Sequence, residues 1–283
     1  MTHDFAAFGT AVDQEDPVLA WQRLESRWWS PRPVHRQAHR RKIDDILPLV
    51  EGYPRVLDIT RGASVDGILG VLAASRGARV TIVSPASNHL AALRRFADRI
   101  GADCARIEFV HCAKIEDLDV GSADVVTALH ILEHAPHPRA LLEVLREHTR
   151  RRCVLAFPSA GSPATWVRMG GGDPYTFDRD SLPALARGLA RTVTARLQGR
   201  VAVAEHVDEY GTDTVHRWYF PAAVLREIEW AGFHIDAVRP DSLAVPWSGR
   251  ATALLHTVRP ALPGALISRA GFGTHVVLRP VPA

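Results

Sequence analysis

Between Arg55 and Phe157 short apolar runs alternate with helix-length segments, and this alternation limits the fold more than any other feature of the chain. Arg55–Ile59 leads through a glycine-containing turn into an apolar helical run, Ile68–Ser75. Arg79–Val83, Ile107–Val110, Ala123–Ala128 and Arg152–Phe157 read as the next four strands. Helices are expected through Leu90, Leu93 and Phe96 to Ile100, and from about Pro138 to His148. Parallel neighbours need a crossover long enough to bring the chain back, so this order specifies βαβ units. The expected fold class is α/β, a mostly parallel central sheet with helices on both faces.

The flanks are less regular. Residues 1–50 read as a helical segment, with Asp16-Pro17 as one helix start and a second helix after Pro31 and Pro33 that ends near Val50. Residues 51–283 then form the main domain, with an insert or cap at about 158–215. The insert opens on Gly170-Gly171-Gly172-Asp173-Pro174, a loop signal. Leu182, Leu185, Leu189, Val193 and Leu197 follow at helical spacing, with Asp178 or Asp180 as the cap and Arg187, Arg191 and Arg196 off the stripe. Val201–Ala204 reads as a strand of the insert. A last helix opens at Pro221 and ends at Gly232, before a strand at Phe233–Val238 and another at His275–Leu278.

Composition excludes several classes. A chain of 283 residues that is 47% hydrophobic can bury a full core. No apolar run approaches the roughly 20 residues of a membrane span, and the acidic start lacks the pattern of a signal peptide. Three cysteines without CxxC spacing read as reduced thiols. A cytoplasmic protein without a membrane partner is expected. The net charge of +3 does not call for nucleic acid, and the basic run His35–Lys42 reads as a solvated helix face.

Val56-Leu-Asp-Ile-Thr-Arg-Gly-Ala-Ser64 resembles the first motif of the class I S-adenosylmethionine (SAM)-dependent methyltransferases, a strand ending in an acid and entering a glycine turn. Ala123–His134 resembles their fourth-strand motif, and Trp230-Ala-Gly-Phe233 their late helix-to-strand turn. The resemblance is to the branch that acts on small molecules, and it implies a Rossmann-like sheet with SAM outside the carboxyl ends of the strands. It implies cofactor contacts at Asp58, Thr60, Arg61, Gly62, Ser84, Ala113 and His130. Several of these depart from the family pattern. Thr60 and Ser64 replace glycines, Ser84 stands at the ribose acid, Ala113 stands at the acid after strand three, and Arg150–Arg152 replace a Pro-Gly-Gly turn.

Candidates for chemistry on the acceptor are His130, His206 and Tyr175. A histidine beside a carboxylate titrates near neutral pH, and Tyr175 follows the glycine loop, where it can close over a ligand. His130-Ile-Leu-Glu133-His134 also spells an H-x-x-E-H zinc pattern. It directly follows a strand, and no metal is expected; Glu133 and His134 read as structural capping. The functional expectation is SAM-dependent methyl transfer to a small-molecule acceptor. The alternative is a silent pseudo-methyltransferase that binds or stabilises a catalytic homologue, as a homo- or hetero-oligomer with a methyltransferase-like chain.

Overall fold

The computed structural model describes Ala20–Trp21 and residues 33–62, 67–209, 212–243, 245–258 and 271–281. The proposed helix start at Asp16-Pro17 and the motif residue Ser64 lie outside them. The chain divides into two compact units, 1–127 and 128–283. Seven strands hydrogen-bond in the order β3-β2-β1-β4-β5-β9-β8, and a separate pair forms β6-β7.

In the first unit, helix α1 (Pro33–Val50) precedes β1 (Arg55–Ile59), α2 (Ile68–Ser75), β2 (Arg79–Ser84), α3 (Ser87–Arg99), β3 (Ile107–His111) and β4 (Ala123–Leu129). β1 pairs in parallel with β2, and β2 with β3. Strand β1 is buried from Val56 onward and α2 from Ile68 through Ala74, as sandwiched parallel sheets require. α3 is amphipathic in the ordinary sense: His89, Leu90, Ala92, Leu93, Phe96 and Ala97 are buried and the charges face out. Trp21 packs edge-on against His89 and Phe96.

In the second unit, α4 (Pro138–His148) leads into β5 (Thr149–Pro158), and β9 (Gly271–Pro280) lies antiparallel between β5 and β8 (Phe233–Leu243). The insert comprises α5 (Pro163–Met169), α6 (Ser181–Leu197), β6 (Ala202–Glu209) and β7 (Thr212–Tyr219), with β6 and β7 paired antiparallel. Helices α7 (Pro221–Trp230) and α8 (Gly249–Val258) complete it. The sequence pattern gave only the start of β6; α5, β7 and α8 are additional.

α6 reverses the ordinary rule. Its buried residues are Ser181, Ala184, Gly188, Thr192 and Ala195, while Leu182, Leu189, Val193 and Leu197 are 57%, 40%, 48% and 84% exposed. The cause is backbone contact with α5. A Cβ on Gly188 would sit 1.8 Å from the Trp166 carbonyl oxygen, and one on Gly170 1.8 Å from that of Ala184. Only small residues allow this approach, so the large ones face water. A leucine or valine left fully outside forgoes about 1.5–3 kcal/mol of burial, and these partly covered side chains forgo a share of it. Asp180 occupies the N-cap position without a side-chain cap; Asp178 instead accepts hydrogen bonds from the Asp180 N–H and the Ser181 hydroxyl.

Candidate active site

The carboxyl end of β1 gathers four of the expected cofactor residues. Asp58 is buried, and both of its oxygens are engaged: Oδ1 accepts from the Thr127 hydroxyl at 2.7 Å and Oδ2 from the Gly70 N–H at 2.9 Å. The acid thus ties β1 to β4 and to the first turn of α2. Gly70 is small for the same reason, since a Cβ there would lie 2.8 Å from Oδ2. Burial pushes the Asp58 carboxyl up to about 6, against the opposing effect of these two hydrogen bonds. Thr127 and Gly70 were not anticipated from sequence. Their signals are a hydroxyl within the apolar run of β4 and a glycine within the helical run of α2.

Thr60 is buried and turned inward, its N–H and hydroxyl both donating to the Val83 carbonyl at 2.9 Å. Thr60 therefore closes β1 onto β2, a role for a side chain at a position where the motif it resembles has glycine. Arg61 is half-buried, and Gly62 follows with φ 84°, a left-handed conformation that favours glycine. A Cβ on Gly62 would fall 2.8 Å from the Ala86 Cβ. The turn therefore lies directly on the loop after β2. Ser84 is fully buried there, and its hydroxyl accepts from the Ala86 N–H at 3.2 Å and lies 3.4 Å from His89 Nδ1. Ala113 is exposed in the bend after β3. A cavity of about 730 Å³ opens at the other, N-terminal end of these strands, between Arg55, Arg79, Arg106 and Glu108.

The second unit holds a cluster of histidines around Glu133. His130 follows β4 with φ 56°, a strained backbone for a non-glycine residue. Its Nδ1 lies 3.0 Å from Glu133 Oε1. Glu133 is buried, and its other oxygen has no hydrogen-bond partner among the described residues. Burial raises the Glu133 carboxyl, but His130, His134 and His216 more than offset this and hold it at about 2. Glu133 is thus an ionised partner of His130, where sequence suggested a structural cap. His134 and His216 meet edge-on at 5.0 Å. Arg217 Nη1 donates to the Ala135 carbonyl and Tyr219 Oη to that of Leu132, fastening β7 to this segment.

Tyr175 is half-buried in the loop before α6, its N–H donating to Asp173 Oδ1. His206 lies in β6 opposite Val215, with its side chain outside the described residues. Among the described residues no hydrogen bond joins Tyr175 to His130. Those residues contain no group of three or more His, Cys, Asp or Glu placed to hold a metal.

Known proteins resemble this chain in sequence and in fold. Residues 62–155 match a family model described as a methyltransferase domain. The ubiquinone biosynthesis O-methyltransferase of Idiomarina loihiensis is 34% identical over 142 residues, covering 47% of this chain and 54% of that protein. That of Bordetella parapertussis is 30% identical over 175 residues, covering 57% and 62%. The chain thus spans about half the length of the first of these relatives. Among solved structures, magnesium protoporphyrin IX methyltransferase from Synechocystis PCC 6803 with bound S-adenosylhomocysteine (SAH) aligns with a TM-score of 0.53 at 16% identity, covering 92% of each chain. A SAM-dependent methyltransferase from Mesorhizobium loti aligns at 0.52 and 17% identity, covering 86% and 97%. Residues 62–155 thus match a methyltransferase domain, and the fold is that of solved SAM-dependent methyltransferases.

Proposed function

We propose that the chain catalyses SAM-dependent O-methylation of a small hydroxylated acceptor, with His130 as the general base. The observation that carries this reading is the His130–Glu133 pair. Methyl transfer to a hydroxyl requires removal of its proton, and a histidine oriented by a buried carboxylate is suited to that task. With Nδ1–H donated to an ionised Glu133, the lone pair of His130 is on Nε2, the nitrogen that takes the acceptor proton. The curated relatives' names as O-methyltransferases support oxygen as the methylated atom.

The residues at the end of β1 fit the cofactor at the glycine turn. Gly62 permits close approach of a ligand to backbone, and Arg61 supplies a cation for its carboxylate. They do not supply a ribose acid, because Ser84 is neutral and its hydroxyl is engaged within its own loop. SAM, when bound, brings a methyl group already activated on sulfonium, so the protein has to align the acceptor and take one proton.

Calorimetry with SAM and SAH tests cofactor binding, and turnover with catechol tests the base. Gly62→Ala should abolish binding because of its positive φ. Glu133→Gln should lower kcat about 10²-fold or more without changing SAM affinity. Saturable SAM binding with unchanged kcat in Glu133→Gln would refute the base assignment. Absence of binding up to millimolar SAM would favour a silent chain acting beside a catalytic homologue.

A further inference from the structure

We infer that the outer face of α6 docks on an anionic membrane surface. At about 100° per residue, Leu182, Ala186, Leu189, Val193 and Leu197 fall on one face of this helix, opposite the small residues that contact α5. Phe177, just ahead of the helix in sequence, is also 61% exposed and meets Trp247 edge-on. The result is a continuous apolar stripe four turns long, of the kind that ordinarily marks a contact surface.

Charge selects the occupant. Between Ser181 and Arg200 the chain carries Arg187, Arg191, Arg196 and Arg200 and no Asp or Glu. Arg191 is neutralised by Glu205 at 2.9 Å. Arg187 reaches only the Gly170 carbonyl, and Arg196 lies over the Phe220 ring. Among the described residues no carboxylate pairs with Arg187, Arg196 or Arg200. A second copy of the same face would set these cations against one another across a two-fold axis, with no acid in the helix to balance them. Negatively charged lipid headgroups balance them directly, while the aliphatic stripe enters the headgroup boundary. No described helix is long and apolar enough to cross a membrane, so α6 lies along the surface. The acids near the N-terminal end, Asp178 and Asp180, are engaged with Ser181 and Arg179, which leaves the C-terminal half as the more basic part.

The test is co-sedimentation of the full chain with vesicles of phosphatidylcholine alone and of phosphatidylcholine mixed with phosphatidylglycerol. Binding should require phosphatidylglycerol, weaken at high salt, and fall about tenfold in Leu197→Asp and in Arg200→Glu. Both positions are exposed, so circular dichroism and thermal unfolding should match the parent chain. Failure to sediment with the mixed vesicles would overturn the inference, as would equal binding by Leu197→Asp. So would a concentration-dependent dimer that Leu197→Asp dissociates, because the stripe would then belong to a second copy.

Discussion

α3 and α6 have apolar spacing of the same period, and the fold uses them in opposite senses. In α3 the stripe Leu90, Leu93 and Phe96 enters the core, where Leu93 and Phe96 are fully buried. In α6 the stripe Leu189, Val193 and Leu197 faces water, and the small residues at Ala184, Gly188 and Ala195 are covered. Spacing fixes the helix; contact distance to the neighbour decides which face is buried. Two buried acids differ in a parallel way. Asp58 has a hydroxyl and an amide for company and is pushed up, whereas Glu133 has histidines and is pulled down.

The sharpest way to break the helix comparison is to enlarge the small face. Gly188→Val should destabilise the protein by about 3 kcal/mol or more, because its Cβ meets a backbone carbonyl that cannot turn aside. If α5 and α6 were loosely packed, urea unfolding of this variant would show little change. Next in size is Leu93→Ala, which opens a cavity in the α3 face and should cost roughly 2–5 kcal/mol. Equal costs at Leu93 and Leu197 would erase the distinction between the two helices.

The βαβ order, the end of β1 and the segment at His130 were legible because each rests on local periodicity or on a motif contiguous in the chain. The partners of Asp58 were not, since Thr127 lies 69 residues away and acts through the adjacency of β4. The orientation of α6 was hidden for a related reason. Gly188 and Gly170 read as a helix weakness and a loop signal, and only their approach to Trp166 and Ala184 shows them as packing residues. β7 escaped because Thr212–Arg217 is polar at every position but Val215, so it shows neither the alternation nor the apolar run that marks a strand.

The carboxylates can be separated by pH. Asp58 has a folded value near 6, above its ordinary 3.8, so the folded chain keeps the proton that the unfolded chain loses. Its effect is to lower stability as pH rises from about 4 through 6, by on the order of 3 kcal/mol. Asp58→Asn should remove that slope and match or exceed the parent at pH 7.5, because the amide can accept from Gly70 and donate to Thr127. Glu133 has a folded value near 2, below its ordinary 4.5, and stabilises above 4.5 with loss as pH falls toward 2. Urea midpoints at pH 3, 4.5, 6 and 7.5 distinguish the two. A slope between pH 4 and 6 that persists in Asp58→Asn would assign it elsewhere.

The smallest expected effect is the most telling for α6. Leu197→Ser removes a side chain that is 84% exposed, so the unfolding midpoint should move by no more than about 0.5 kcal/mol. A serine is a poorer helix former than leucine by a few tenths of that amount, which sets the sign as slight loss. Leu93→Ser supplies the internal contrast, since it places an unpaired hydroxyl in a dry core and should cost several times more. A loss at Leu197 comparable to that at Leu93 would show that the outer face of α6 is covered in solution. Repeating the measurement across a dilution series then tells a covering second copy, whose contribution falls with concentration, from a covering segment of the same chain, whose contribution does not.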